Sequence, residues 1–133
     1  MSACDLASLG PERLVSIDGA IDPGPLPVRA VLRLGEREWL VLDAVAAEIP
    51  ELAGALAVDV GDSIDGWRLS GPGACELMAK ACLLDLDRLP AGAATRTVMG
   101  GVTVLVRVVA ADVFELRVER SYAAWFEAWL RQL

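Results

Sequence analysis

The sequence contains no histidine, and this absence excludes several kinds of chemistry. Histidine is the commonest general base and the commonest metal ligand in proteins. Without it the chain can build neither a Ser-His-Asp nor a Cys-His nucleophile, and no zinc site that uses imidazole. These catalytic sets and this kind of zinc site are therefore excluded, and we assign no catalytic residue and no metal ligand in this chain.

Cysteine is also scarce, with three residues that have no disulfide-framework spacing. An odd, irregular set of this kind favours a reducing compartment. Cys75 and Cys82 lie seven apart on a predicted helix, about 10.5 Å along its axis, which is too far for a disulfide. Both are predicted to be small buried hydrophobic residues rather than redox or metal groups. The segment Met1–Asp5 has no basic residues followed by an apolar run, so no secretory signal is expected and the predicted location is cytoplasmic.

Long apolar runs and an excess of positive charge are missing as well. No window approaches the roughly 18 unbroken apolar residues that span a bilayer. The net charge is −7, so the average surface repels both a phosphate backbone and an anionic membrane. Neither nucleic acid nor a membrane is therefore an expected partner.

The 133 residues are 55% hydrophobic, which is enough for one domain with one core. Residues 1–27 are predicted to be an irregular lead-in, because Asp22–Pro27 includes three prolines that lack N–H donors. Residues 28–133 are predicted to form a single domain. Its first predicted elements are a strand pair over Val28–Leu34 and Glu38–Leu42 and a helix over Val45–Ala57 that is broken or begins near Pro50. Short strands at Val58–Val60 and Trp67–Leu69 follow, and then a helix that starts at Ser70-Gly71-Pro72, where Ser70 can cap. The last predicted strands are Thr95–Met99, Val102–Val109 and Val113–Glu119.

The C-terminal element has the clearest pattern. Ser121 can cap a helix, and a full amphipathic stripe of apolar residues follows. A stripe at helical spacing is typical of core or interface, so a role in stacking on a flavin is the less favoured interpretation. Strands and helices in this order predict an α+β fold in which helices pack on an antiparallel sheet. The stripe consists of Tyr122, Trp125, Phe126, Trp129, Leu130 and Leu133.

Three other groups of residues have functional interpretations that their spacing does not support. Asp59, Asp62 and Asp65 do not have the every-second-residue spacing of a calcium loop and indicate a solvated acidic loop. Ser70–Gly73 lacks the lysine of a phosphate loop and the three glycines of a dinucleotide fingerprint, so a structural helix start is favoured. Glu115 and Glu119 alternate with Arg117 and Arg120, which predicts cross-strand ion pairs on a wet sheet face. We assign no cofactor-binding residue.

The chain resembles the gamma subunit of heterotetrameric sarcosine oxidase over roughly residues 30–133. The resemblance begins at Leu34-Gly35 and Glu38-Trp39-Leu40 and is densest from Leu69-Ser70-Gly71-Pro72 onward. No single motif is specific, but their order and spacing together are. The other matching positions are Ala74, Leu77, Lys80, Cys82, Asp85-Leu86, Gly92, Ala94, Thr97, Val104, Phe114-Glu115-Leu116, Val118, Arg120-Ser121, Ala123, Trp129 and Leu130.

This resemblance implies a fold similar to the folate-binding domain of aminomethyltransferases. It also implies a complex that oxidises the N-methyl group of sarcosine to give glycine, hydrogen peroxide and a one-carbon unit for tetrahydrofolate. FAD, FMN, NAD and zinc would belong to the alpha-type and beta-type subunits, and the gamma-type subunit would have no catalytic residue. Two alternatives stay open: a stand-alone folate-binding or aminomethyltransferase-like protein, and a general protein-interaction module.

Overall fold

The computed structural model describes residues 4–19, 30–49 and 54–133. The chain divides into two compact units, one within residues 11–62 and one that combines residues up to 10 with residues 63–133. This division differs from the predicted boundary at residue 28. The strands are β1 (Asp5–Ser8), β2 (Leu14–Asp18), β3 (Ala30–Arg33), β4 (Glu38–Leu42), β5 (Leu56–Asp59), β6 (Ile64–Ser70), β7 (Ala94–Met99), β8 (Val102–Ala110) and β9 (Val113–Glu119), and the helices are α1 (Ala74–Ala81) and α2 (Ala123–Arg131).

The larger unit contains a five-stranded antiparallel sheet in the order β1-β6-β9-β8-β7. Strands β7 and β8 are joined by Gly100 and Gly101, whose φ angles are +60° and +84°. A two-residue hairpin turn with both φ angles positive strongly favours glycine, because a side chain is strained there. The three strands β7, β8 and β9 and this turn confirm the sequence prediction.

Both helices pack on one face of this sheet. The apolar side chains of β9 that face them are Phe114, Leu116 and Val118, each at most 3% exposed. Their spacing of two places all three on the same face, as alternation along a strand requires. The predicted α+β class, with helices on an antiparallel sheet, is confirmed. Helix α1 buries Ala74, Met78 and Ala81, and α2 buries Ala123, Phe126 and Leu130.

The smaller unit is a four-stranded antiparallel sheet in the order β3-β4-β2-β5. The predicted hairpin of β3 and β4 is present, with Val31 opposite Val41. The indole Nε1 of Trp39 is buried and donates a hydrogen bond of 3.1 Å to the carbonyl of Gly19. A buried indole N–H usually finds such an acceptor. The core of this unit consists of Val15, Ile17, Trp39, Val41 and Ala44.

Several predictions about local structure differ from the fold. Strands β1 and β2 lie within residues 1–27, where an irregular segment was predicted, because their backbone groups pair with β6 and β4. The predicted helix over Val45–Ala57 is wrong where it is described: only a 3-10 turn at Ala46–Glu48 forms, and Leu56–Asp59 pairs with β2. The proline-rich segment Asp22–Pro27 and Pro50 lie outside the described residues.

Both predicted serine caps are also absent. Helix α1 is capped by Gly73 and helix α2 by Tyr122, and neither has a side-chain cap hydrogen bond. Ser70 instead ends strand β6, and Ser121 lies in a 3-10 turn at Arg120–Tyr122 that leads into α2. The first helix therefore begins four residues after Ser70.

Candidate functional site

A row of three charged side chains crosses the face of the five-stranded sheet that is opposite the helices. Glu115 of β9 lies directly between Arg68 of β6 and Arg107 of β8 in the strand register. Arg68 Nη2 donates to Glu115 Oε2 at 2.8 Å, and Arg107 Nη1 donates to Glu115 Oε1 at 3.0 Å. We call Arg68, Glu115 and Arg107 the Arg–Glu–Arg row. It fixes one carboxylate between two guanidinium groups.

Arg117, two residues along β9, adds a third cation next to this carboxylate. Its Nη1 lies 3.0 Å from Glu115 Oε1. Gly66 lies opposite Arg117 on β6, and a Cβ there would come within 3.0 Å of the Arg117 side chain and 2.8 Å of Leu9. Glycine at this position therefore leaves room for the arginine stem to lie flat on the sheet.

This face is not the wet surface that the sequence predicted. The cross-strand pairing of Glu115 is present, but Glu115 and Arg117 are each only 3% exposed. The prediction holds better for Glu119 and Arg120, which are exposed. Arg120 pairs with Asp65 at 3.0 Å in a half-exposed contact.

The electrostatics of Glu115 combine two opposing effects. Burial alone raises the pKa of its carboxyl group, because the charged form loses solvation. The hydrogen bond from Arg68 and the charges of Arg117 and Arg107 lower it by more, so the net pKa lies below the usual value for glutamate. The carboxylate is consequently ionised in the folded chain at neutral pH.

A depressed pKa makes the stability of the fold depend on pH. The unfolded glutamate has a pKa of about 4.3, so the stabilisation is present above that pH and is lost as the pH falls through the lower folded value. We expect the melting temperature of wild type to fall more steeply below about pH 4 than that of Glu115→Gln. Thermal melting followed by circular dichroism across the acid range measures how the melting temperature of each protein changes with pH. Equal slopes for wild type and Glu115→Gln would contradict a contribution of Glu115 to the pH dependence.

A second candidate site is a partly exposed aromatic surface on α2 and on the 3-10 turn before it. Trp125 is 52% exposed and Tyr122 is 49% exposed. The indole rings of Trp125 and Trp129 are stacked, with centroids 6.3 Å apart and planes at 12°. A Cβ at Gly100 would come within 2.8 Å of the Trp129 ring, so the β7–β8 turn lies directly against the stack. We call Tyr122, Trp125 and Trp129 the aromatic surface.

The amphipathic stripe is therefore divided between core and surface. Phe126 and Leu130 are buried, and Phe126 lies against Trp67 with ring centroids 5.5 Å apart. Trp125, Tyr122 and Leu133 are exposed, so of the two predicted roles, core or interface, the core role is wrong for these three. The side of α2 that carries Phe126 and Leu130 packs on the sheet, and the exposed residues of the stripe lie outside that contact.

The remaining groups of the sequence analysis form no site. Asp59 accepts the backbone N–H of Ala46, and Asp65 binds Arg120, so these carboxylates have structural partners. Cys82 is buried as predicted, whereas Cys75 is exposed and donates to the carbonyl of Ala111. Burial and nearby Asp112 raise the pKa of Cys75, which disfavours a reactive thiolate.

An open cleft of about 280 Å³ lies between β1, α1 and α2. Its lining is mainly leucine, with Leu6, Leu77 and Leu130 among the contributors and Arg131 as the charged group. Within the described ranges, no set of three or more acidic or cysteine side chains is arranged to hold a metal ion. No helix in the same ranges is both long and apolar enough to cross a membrane.

Comparison with known proteins gives the family. The model of the family described as "Sarcosine oxidase, gamma subunit family" matches residues 31–133. The chain belongs to the sarcosine oxidase gamma subunit family. A chain of heterotetrameric sarcosine oxidase from Corynebacterium sp. U-96, solved with pyrrole 2-carboxylate, has the same fold: the TM-score is 0.80 at 17% identity, over 97% of this chain and 82% of that one. No curated protein matches the chain.

The family match confirms the resemblance seen in the sequence. The sequence pattern of this gamma-family chain reveals the aromatic stripe, which contains the aromatic surface, but it does not reveal the Arg–Glu–Arg row. Glu115 was noted, but its partner Arg68 is 47 positions away along the chain. The sequence signal that could have identified Arg68 is its position between the hydrophobic residues Trp67 and Leu69. Alternation along a strand then places the arginine on the face opposite the core.

Proposed function

We propose that the chain is a non-catalytic gamma-type subunit of a sarcosine oxidase-like complex and stabilises its large, alpha-type subunit. The observation that supports this most strongly is the family match over residues 31–133. The structural neighbour from Corynebacterium belongs to a heterotetramer, and the same kind of assembly is proposed here, with alpha-type and beta-type partners.

The proposed complex performs oxidative N-demethylation of sarcosine or a related N-methyl amino acid in the cytoplasm. FAD, FMN, NAD, tetrahydrofolate and zinc are assigned to the partner subunits. Dinucleotide binding usually needs a glycine fingerprint loop, and this sequence has none. The carboxylate of Glu115 is held by arginines rather than directed at a substrate, which supports a structural role for it.

The aromatic surface is the proposed contact with the large subunit. Tryptophan and tyrosine supply large apolar area with few rotatable bonds, and they are enriched among residues that dominate binding energy. Trp125 is half exposed yet already fixed by its stack on Trp129, so little side-chain entropy is lost when a partner covers it.

Replacing Trp125 by alanine tests this assignment. We expect the variant to fold as wild type does, because the side chain is exposed, but to bind the co-expressed large subunit about 30-fold more weakly. Surface plasmon resonance gives the affinity, and thermal melting of the free chain reports folding. Leu83→Ala is the matched control, since Leu83 is fully exposed in the connection after α1.

Two outcomes are distinguishable. If wild type forms no complex with the large subunit, the subunit proposal itself fails. If wild type binds and Trp125→Ala binds equally well, the chain is a subunit whose contact surface lies elsewhere.

A further inference from the structure

The sheet face opposite the helices concentrates positive charge. By strand register, Arg68, Arg107 and Arg117 share this face with Arg96 of β7, which lies opposite Leu105. Four of the chain's 12 basic residues thus lie on one face of one sheet, in a chain whose net charge is −7. Such segregation favours an anionic ligand at this face. The acidic residues that the register places there are Asp5, Glu115 and Glu119.

The Arg–Glu–Arg row itself has more donors than its one carboxylate can accept. Each guanidinium has five N–H donors, whereas a carboxylate offers about four lone-pair positions. The row has a net charge of +1. Arg107 Nε is buried and has no hydrogen-bond partner within the part of the chain that is described. A buried donor without an acceptor is costly, and a further anion close to the row would lower that cost.

The row is also accessible from solvent. Its two ends are flanked by alanines, since Ala7 of β1 lies opposite Arg68 and Ala94 of β7 lies opposite Arg107. The Arg68 side chain is 50% exposed and the Arg107 side chain is 22% exposed. Short flanking residues leave the Arg68 guanidinium open to approach at one edge of the row, and the Arg107 guanidinium is partly open at the other.

We propose that Arg68 and Arg107 form a binding site for one further carboxylate. A guanidinium fork matches the planar, two-oxygen geometry of a carboxylate, as the contacts to Glu115 already illustrate. The carboxylate comes either from an acidic side chain of a partner subunit or from a free small molecule. The site does not depend on the proposed function.

Acetate is the probe for the isolated full-length chain. At constant ionic strength, the Nε–H resonances of the arginines are followed by NMR as acetate is added. We expect a saturable shift at Arg107 and none at Arg88, whose exposed guanidinium pairs with Asp85. Arg68→Gln should weaken acetate binding about tenfold or more, because it removes a charge-assisted hydrogen bond. Arg68→Lys keeps the positive charge but loses the planar pair of N–H donors, so its affinity for acetate should lie between those of wild type and Arg68→Gln.

Assembly with the large subunit distinguishes the two sources. If Arg68→Gln weakens the complex while Arg88→Gln does not, the carboxylate belongs to the partner. If assembly is unchanged and acetate still saturates at Arg107, the ligand is a free carboxylate. An Arg107 shift no larger than that of Arg88, together with unchanged assembly of Arg68→Gln, would overturn the proposal. Failure of wild type to assemble would count against the subunit proposal alone, since the acetate titration decides this one.

Discussion

Replacing Phe126 by alanine is expected to destabilise the chain by about 3–5 kcal/mol, because it empties a fully buried position. The Phe126 ring is 0% exposed and contacts the rings of Trp67 and Trp129, at centroid distances of 5.5 and 6.0 Å. The whole free energy of unfolding of a small domain is about 5–15 kcal/mol, so this loss is a large share of it. Urea unfolding of the purified chain measures the difference.

Trp125→Ala is the matched control, one position away on the same helix. Trp125 is larger but 52% exposed, so its removal leaves no cavity. We expect a loss within about 1 kcal/mol. A Phe126→Ala variant that unfolds at the same urea concentration as Trp125→Ala would show that the two faces of α2 are wrongly assigned.

Replacing Glu115 by glutamine is expected to cost about 3 kcal/mol at neutral pH. Glutamine has nearly the same shape, so the change removes the negative charge without creating a cavity. Arg117, which is 3% exposed, and the largely buried Arg107 would then lie together without their shared carboxylate. Removing one partner of a buried ion network leaves uncompensated charge, which is strongly destabilising.

The control for this variant is Asp85→Asn. It neutralises one carboxylate of an exposed pair, Asp85 with Arg88, at 3.0 Å. Exposed pairs contribute about 0–1 kcal/mol, so little change is expected. Equal losses of stability in Glu115→Gln and Asp85→Asn would mean that the Glu115 network adds no more to the fold than a surface ion pair.

Elements with local signals could be predicted from the sequence. Strands β7 to β9 have apolar alternation and a Gly-Gly turn, and α2 has a stripe at helical spacing. The failed helix at Val45–Ala57 has only alanine and leucine content in its favour. There, pairing of Leu56–Asp59 with residues 15–18, about forty positions earlier, outweighs helix propensity. Such non-local pairing has no local signature.

The candidate sites show the same limit. The aromatic stripe could be found by spacing, but the exposure of Trp125 depends on how α2 is rotated on the sheet, which the stripe is too wide to define. The Arg–Glu–Arg row depends on the order β6-β9-β8, which places β6 beside the consecutive strands β8 and β9 although Arg68 and Glu115 are 47 positions apart in the sequence. Charge alternation on β9 alone cannot tell a buried ion network from a solvated face.

The most direct test of the central claim is the mass of the particle that contains this chain. The tagged full-length chain is co-expressed with a candidate alpha-type large subunit from the same organism, and the purified material is analysed by size-exclusion chromatography with light scattering. A sarcosine oxidase gamma-type subunit should elute in a stoichiometric complex far above its own 14.1 kDa. A chain that elutes alone at 14.1 kDa, with the large subunit in a separate peak, would contradict the account.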